Sequence, residues 1–217
     1  LNFDKKISKV SDFVTIQEGC DKFCSFCVVP FTRGPEYSRS RKSILDEVKI
    51  MAQNGVKEII LLGQNVNAWK DDANKGKVYT LGHLIEDIAK IDEILSIRYT
   101  TSHPLDMDIE LIKAHKNVDK LMPYLHLPIQ SGSDNILKKM NRRHTASEYL
   151  KIIELVRKYC EDIAISSDFI VGHPGETNED HKKTLDIINE VQFASSYSFM
   201  YSDCLLYTSP SPRDNPA

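Results

Sequence analysis

Apolar runs of strand character alternate with helical patterns along most of this chain, and that alternation constrains its fold more than any other feature. Asp12 to Gln17, Glu58 to Leu62, Ser96 to Thr101, Tyr124 to Leu127, Ile163 to Val171 and Ala194 to Tyr201 read as strands. Helical spacing fills the gaps. Ser43 to Asn54 puts Ile44, Leu45, Val48, Met51 and Ala52 on one face and is stopped by Gly55; Leu81 to Lys90 aligns Leu81, Leu84, Ile85 and Ile88. Asp108 to Ala114 and Ser133 to Met140 are shorter helical stretches, and Thr177 to Val191 is a longer one. Thr145-Ala146-Ser147-Glu148 has the form of a capping box and opens a helix with the stripe Tyr149, Ile152, Ile153 and Val156. Six strand–helix units imply parallel strands joined by helical crossovers. Right-handed crossovers leave an open sheet or a barrel, and six units rather than eight point to a partial one. The expected fold is α/β, a partial (β/α)6 TIM-like barrel.

Folds of this kind bind ligands at the C-terminal ends of their strands. The unusual polar residues fall there. A cysteine-bearing loop follows the first strand, Gly63-Gln64-Asn65 the second and Ser102-His103-Pro104 the third. Gln130-Ser131-Gly132-Ser133 follows the fourth and Gly172-His173-Pro174-Gly175 the fifth. With 217 residues the chain has room for one domain with a substantial core. A net charge of −3 excludes a general polyanion-binding body, so any nucleic-acid contact must be local. No run approaches the roughly 20 apolar residues that span a bilayer, and Leu1 to Val10 contains no secretory signal. Without an initiator Met, the chain is expected to begin inside a longer protein. Residues 1–12 read as the end of a linker and 13–202 as one core domain. The stretch 203–217, with Pro, Ser and Asp but no periodicity, reads as a disordered or artefactual tail.

Cys20, Cys24 and Cys27 crowd into eight residues, whereas Cys160 and Cys204 stand alone. An odd count with one tight group argues for metal ligation in a reducing compartment rather than for disulfides. Two kinds of centre fit. A cubane iron–sulfur cluster held by three thiolates has a fourth iron open, which can chelate the amino and carboxylate groups of S-adenosylmethionine. A zinc ion is the alternative, although zinc sites usually add a second cysteine pair and none follows here. Phe26 can line an adenine pocket or simply pack in the core.

Longer motifs carry a resemblance. Gln17-Glu18-Gly19-Cys20-Asp21-Lys22-Phe23-Cys24-Ser25-Phe26-Cys27-Val28-Val29-Pro30, Arg33-Gly34, Ser38-Arg39 and Gly63-Gln64-Asn65-Val66-Asn67 come first. Thr101-Ser102-His103-Pro104, the run from His126 to Ser133 and the run from Asp168 to Thr177 follow. In this order they resemble the radical S-adenosylmethionine methylthiotransferases, most of all the tRNA-modifying MiaB type, from about Phe13 to Ser202. The Gly63-to-Asn67 run separates that branch from relatives that act on a ribosomal protein or on a threonylcarbamoyl adenosine.

The resemblance implies a barrel of the radical SAM type, with a [4Fe-4S] cluster on Cys20, Cys24 and Cys27. It implies that S-adenosyl-L-methionine is cleaved to a 5′-deoxyadenosyl radical, and that N6-isopentenyladenosine beside the anticodon of tRNA is methylthiolated at C2. It further implies tRNA as partner, an electron donor such as flavodoxin or ferredoxin, no membrane, a monomer and a cytoplasmic location. In such enzymes sulfur comes from a second [4Fe-4S] cluster in an N-terminal domain, and a small C-terminal β-barrel binds RNA; this chain is expected to lack both. The family pattern is broken at His173, where a bulky apolar residue is usual, and after Ser202. The alternatives are a related methylthiotransferase with another target and a non-catalytic zinc-binding RNA module.

Phe26, Gln64, Asn65, His103, Gln130, Ser131, Asp168 and Gly172 are the candidate cofactor contacts by position. Each also has a structural reading. Gln64 and Asn65 suit a capping turn, His103 and His126 suit packed structural histidines, and Ser133 suits a helix cap. Asp168, on an apolar strand, would be costly to bury unpaired. Gly172 and Gly175 would allow close backbone approach. Arg33, Arg39 and Arg41 with Lys42, and Arg142 and Arg143 with Lys138 and Lys139, form two basic groups that suit RNA phosphates or an ordinary solvated face. Cys160 reads as a buried thiol.

Overall fold

In strands that face a helical layer on one side, alternate residues bury, and this period decides how the sheet sits. The computed structural model describes residues 9–74 and 76–202. Its elements are β1 (Ser11–Thr15), β2 (Gln17–Glu18), α1 (Val29–Arg33), β3 (Tyr37–Ser38), α2 (Arg41–Gln53), β4 (Glu58–Leu62), β5 (Lys70–Asn74), β6 (Lys77–Thr80) and α3 (Leu81–Ala89). Then come β7 (Ser96–Tyr99), α4 (Ile109–Asn117), β8 (Tyr124–His126), α5 (Asp134–Lys139), α6 (Ala146–Tyr159), β9 (Ala164–Val171), α7 (Asn178–Val191) and β10 (Ser195–Met200).

Parallel pairing runs β1-β4-β7 in one group and β8-β9-β10 in another. A parallel bridge from Ile97 on β7 to Leu121, just ahead of β8, joins them. Six parallel strands therefore follow one another in sequence order, as the alternation predicts, and form a partial barrel. Val14, Ile59, Leu61, Ile97, Tyr99, Leu125 and Ile165 are buried, whereas Phe13, Ile60, Arg98 and Tyr124 between them are not. The buried set meets Ile44 and Val48 of α2, Leu84 and Ile88 of α3, Leu111 of α4, Ile153 and Val156 of α6 and Ile187 of α7 in one cluster. Each such fully buried side chain contributes about 1.5–3 kcal/mol relative to exposure. β10, at the open edge, is exposed along its whole length.

Two local features differ from expectation. The strand read from Asp12 to Gln17 ends at Thr15, and Gln17–Glu18 turns aside to pair antiparallel with Tyr37–Ser38. The polar stretch before α3 folds into the β5–β6 hairpin. The helix at 145 does open with the anticipated capping box between Thr145 and Glu148. The expected tail, 203–217, and most of the expected linker lie outside the described residues; residues 11 and 12 already belong to β1. Among the described residues no helix is long and apolar enough to cross a membrane.

Candidate functional site

The cysteine loop is closed at its base by the β2–β3 ladder, where Gln17 pairs with Ser38 and Glu18 with Tyr37. Two glutamines then fix the residue that precedes the first cysteine. The Gln17 amide donates to Gly19 O at 2.7 Å, and Gly19 N donates to Gln64 Oε1 at 2.7 Å. Gln17 Oε1 also accepts from Asn65 N at 2.9 Å, tying the first and second strand ends together. Gly19 sits at φ +71°, with carbonyls of Gly34 and Pro35 where a Cβ would lie, so only glycine fits. Cys20 N donates back to Gly34 O at 3.3 Å.

From the other side, the turn that ends α5 grips the same loop. Ser25 N donates to Met140 O at 3.0 Å and Ser25 Oγ to Lys139 O at 3.0 Å. Asn141 Nδ2 donates to Phe23 O at 2.8 Å and Lys22 O at 3.3 Å. Arg142 Nη1 donates to Cys24 Sγ at 3.5 Å, and Nη2 to Pro128 O at 2.5 Å.

Burial, with a smaller contribution from neighbouring thiols, pushes Cys20 and Cys27 above the ordinary thiol range. Yet among the described residues no three His, Cys, Asp or Glu side chains converge as ligands of one ion. Zinc needs its sulfurs about 2.3 Å from a single centre. A cubane spreads its thiolates over separate irons. The donors this loop offers, Cys20, Cys24 and Cys27, are all thiols, the ligand type that the irons of such a cluster take.

Beneath the loop, polar groups are left without partners. Among the described residues eight buried side-chain atoms have none, and five of them belong to one neighbourhood: Asn65 Oδ1, Ser102 Oγ, His103 Nε2, Arg142 Nε and His144 Nε2. The His103 and His144 rings meet edge to face at 5.7 Å, and Asn65 Nδ2 donates to Asp106, which pairs with Lys22 of the loop at 2.8 Å. Buried polar groups are rarely left unsatisfied, so a concentration of them marks a place prepared for a polar ligand or water. Burial, reinforced by the Arg142 cation, drives His103 down to about 2 and His144 to about 4. Both rings are neutral and keep a free ring nitrogen.

Phe26, Gln130 and Asp168 line one cleft of about 310 Å3 with Ile170, Phe199 and Tyr201. Gln130 reaches it because the chain after β8 rejoins β9: Gln130 N donates to Asp168 O, and Ile170 N to Gln130 O, each at 2.9 Å. Asp168 is not unpaired. Its carboxylate lies 3.4 Å from His126 Nε2, His126 Nδ1 lies 2.8 Å from Ser166 Oγ, and that hydroxyl lies 2.6 Å from Tyr124 OH.

The other expected contacts take different places. Gln64 holds the cysteine loop. Asn65 and His103 lie in the unsatisfied neighbourhood. Ser131 is turned inward, beside Thr184 of α7 at 3.3 Å. Ser133 precedes α5 but donates to Asp180 Oδ1 at 2.5 Å rather than capping, a bond that holds Asp180 well below the usual carboxylate range. Gly172 is at φ +78° with open space around its Cβ position, so conformation rather than close approach explains it.

The two basic groups need correction. Arg142 is buried against the cysteine loop and unavailable to phosphate. Arg39 bonds Thr15 O and Glu47, and Arg41 pairs with Asp87 while covering the Tyr79 ring, so both fasten α2 to its neighbours. Arg33 and Arg143 remain exposed. Sequence reasoning missed Gln17 and Asn141 as loop holders. A glutamine at the end of an apolar strand and an asparagine just past a helix were the available signals.

Comparison with known proteins agrees with this geometry. The model of the Radical SAM superfamily matches residues 14–188. The tRNA-2-methylthio-N(6)-dimethylallyladenosine synthases of Bartonella tribocorum and Bartonella quintana are each 58% identical over 193 residues, 89% of this chain and 42% of theirs. The chain thus spans about two fifths of the length of these relatives. Among solved structures, a radical S-adenosylmethionine methyltransferase from Kitasatospora setae, with cobalamin and a [4Fe-4S] cluster bound, is similar at TM-score 0.70 and 16% identity, over 90% of this chain and 37% of that one. Methylornithine synthase is similar at TM-score 0.60 and 14% identity, over 91% of this chain and 55% of that one. At such identities the structures bear on the fold alone.

Proposed function

Because the chain belongs to the Radical SAM superfamily, we propose that it is a cluster-bearing core that cleaves S-adenosylmethionine, and that the protein it represents methylthiolates N6-isopentenyladenosine in tRNA. The single observation that carries the first part is the loop of three thiols, fixed from both sides, above a set of unsatisfied buried polar atoms. Cys20, Cys24 and Cys27 would hold a [4Fe-4S] cluster. When bound, that cluster supplies the electron that opens a carbon–sulfur bond of S-adenosylmethionine, giving a radical able to remove hydrogen from an unreactive C–H bond.

The chain's own residues bind and orient. Gln17, Gln64 and Asn141 hold the backbone of the loop on both sides of Cys20 and ahead of Cys24. Phe26, Ile170 and Phe199 give the cleft an apolar wall suited to an adenine, while Gln130 and Asp168 offer polar groups for its sugar. Asn65 Oδ1 offers an unpaired acceptor for the cofactor's ammonium or hydroxyl groups, and His103, whose Nδ1 accepts from Leu105 N, offers its Nε2–H as a donor to the cofactor's carboxylate. The target base must leave its stack to reach this mouth. The second part rests on the 58% identity to tRNA-modifying relatives. A low-potential one-electron donor and a monomeric state belong to the same reading.

The test is anaerobic. The reconstituted chain, reduced with dithionite, is expected to turn S-adenosylmethionine into 5′-deoxyadenosine and methionine. The full-length protein is expected to add a 2-methylthio group to prenylated tRNA. Absence of deoxyadenosine from an iron-loaded chain rejects the first part. Turnover without any 2-methylthio product on tRNA rejects the second.

A further inference from the structure

We propose that Arg142 is the built-in counter-cation of the cluster loop, a positioning residue that steadies Cys24 and raises the reduction potential of the bound cluster. This rests on the cluster reading above and adds a residue outside the thiol triplet.

The backbone is shaped to deliver this side chain. Asn141 and Arg143 both take the left-handed conformation, each at φ 58°. That conformation is unfavourable for an ordinary residue, and Arg143 lacks the short polar side chain that eases it in asparagine. The two reversals turn Arg142 inward, to 5% exposure, while Arg143 stays outside. The buried guanidinium meets Cys24 Sγ at 3.5 Å and Pro128 O at 2.5 Å. Its Nε is buried with no partner. Among the described residues no ion pair joins it to a carboxylate. Besides Cys24, the titratable groups that feel its charge are Cys27, Tyr149, His103 and His144, none of them a carboxylate.

A buried cation without an anion carries a large desolvation penalty. A fold keeps one where an anion arrives later. Three thiolates on a cubane make a negative centre, and one added electron makes it more negative. A neighbouring cation that hydrogen-bonds a ligand sulfur favours the reduced form, since cluster charge and bonds to the sulfurs set the potential. The step at issue is uptake of one electron by the cluster from a one-electron reductant. No bond is made or broken at Arg142, and it gives up no proton.

The experiment compares anaerobically reconstituted wild-type chain with R142Q and R142K. Iron per chain is measured, and each sample is titrated against ambient potential by electron paramagnetic resonance. R142Q is expected to lower the ratio of reduced to oxidised cluster at fixed potential by about tenfold, a 59 mV shift for one electron. R142K, which keeps the charge, is expected to stay within about threefold of wild type. If R142Q loads iron at the wild-type potential, Arg142 is only a staple and the proposal is overturned. If R142Q fails to fold by circular dichroism, the neutral R142M decides: a ratio of reduced to oxidised cluster lowered by about tenfold upholds the proposal, and a wild-type ratio overturns it. A wild-type chain that binds no iron defeats the cluster reading instead.

Discussion

Replacing Gly19 by Ala tests whether the cysteine loop is held as rigidly as its contacts imply. Gly19 lies at φ +71°, and a Cβ there would stand 2.1 Å from Pro35 O and 2.6 Å from Gly34 O. Both obstacles are backbone, so neither can swing aside. The left-handed conformation costs an alanine about 1–2 kcal/mol. Overpacking adds about 1–3 kcal/mol, and the stiffer unfolded chain returns about 0.4–1 kcal/mol. The net loss is about 2–4 kcal/mol. Gly172 is an internal control, because it has φ +78° but nothing within 4 Å of its Cβ position. G172A should therefore cost about 1 kcal/mol or less. Urea denaturation of the metal-free chain separates the two: with a slope near 2 kcal/mol per molar, G19A should lower the midpoint by about 1 M more than G172A. G19A should also load less iron, because the substitution displaces the residue next to Cys20. Equal midpoints for the two variants would refute the claim of a tightly held loop.

Other outcomes follow from the same contacts. Q17A removes a buried amide that satisfies Gly19 O and Asn65 N, so it should cost about 2–4 kcal/mol in urea denaturation and reduce iron uptake. Burial holds His115 at about 4, and its Nε2 lies 2.6 Å from the Tyr99 hydroxyl. The folded value is below the unfolded one, so the contribution is complete above about pH 6.5 and is lost as pH falls through 4. H115Q should flatten the stability profile in that window by at most about 3 kcal/mol, read from urea midpoints at several pH values. Reversing the two exposed arginines together, R33E with R143E, should weaken tRNA binding by the full-length protein and reduce its salt slope by about 2, whereas R39E should lower stability first.

The strands and long helices were legible because each carries a period: two where strands face the helices, nearly four where helices face the sheet. The gathering of polar residues at one barrel end was legible too, since parallel connectivity forces every strand end to the same side. The β2–β3 ladder was not. Two residues in each strand cannot show a period, and the pairing that closes the cysteine loop joins positions about twenty residues apart. Hairpin β5–β6 escaped notice because β5, Lys70–Asn74, is almost wholly polar and β6, Lys77–Thr80, is too short to show a period. Arg142 misled most. Its neighbours Lys138, Lys139 and Arg143 suggest a solvated basic face, and only the left-handed residues on either side reveal that this one side chain is turned inward. Ser131 misled in the same way, for a small hydroxyl at a strand end can face the cleft or the helix behind it, and here it faces α7.

Iron stoichiometry under oxygen-free reconstitution, measured on the wild-type chain and on Cys24→Ala, bears most directly on whether these thiols hold a cubane. The wild-type chain should bind about four irons with matching sulfide, and the variant should bind far fewer. One tightly held zinc and no iron in the wild type, or full iron binding without Cys24, would contradict the account.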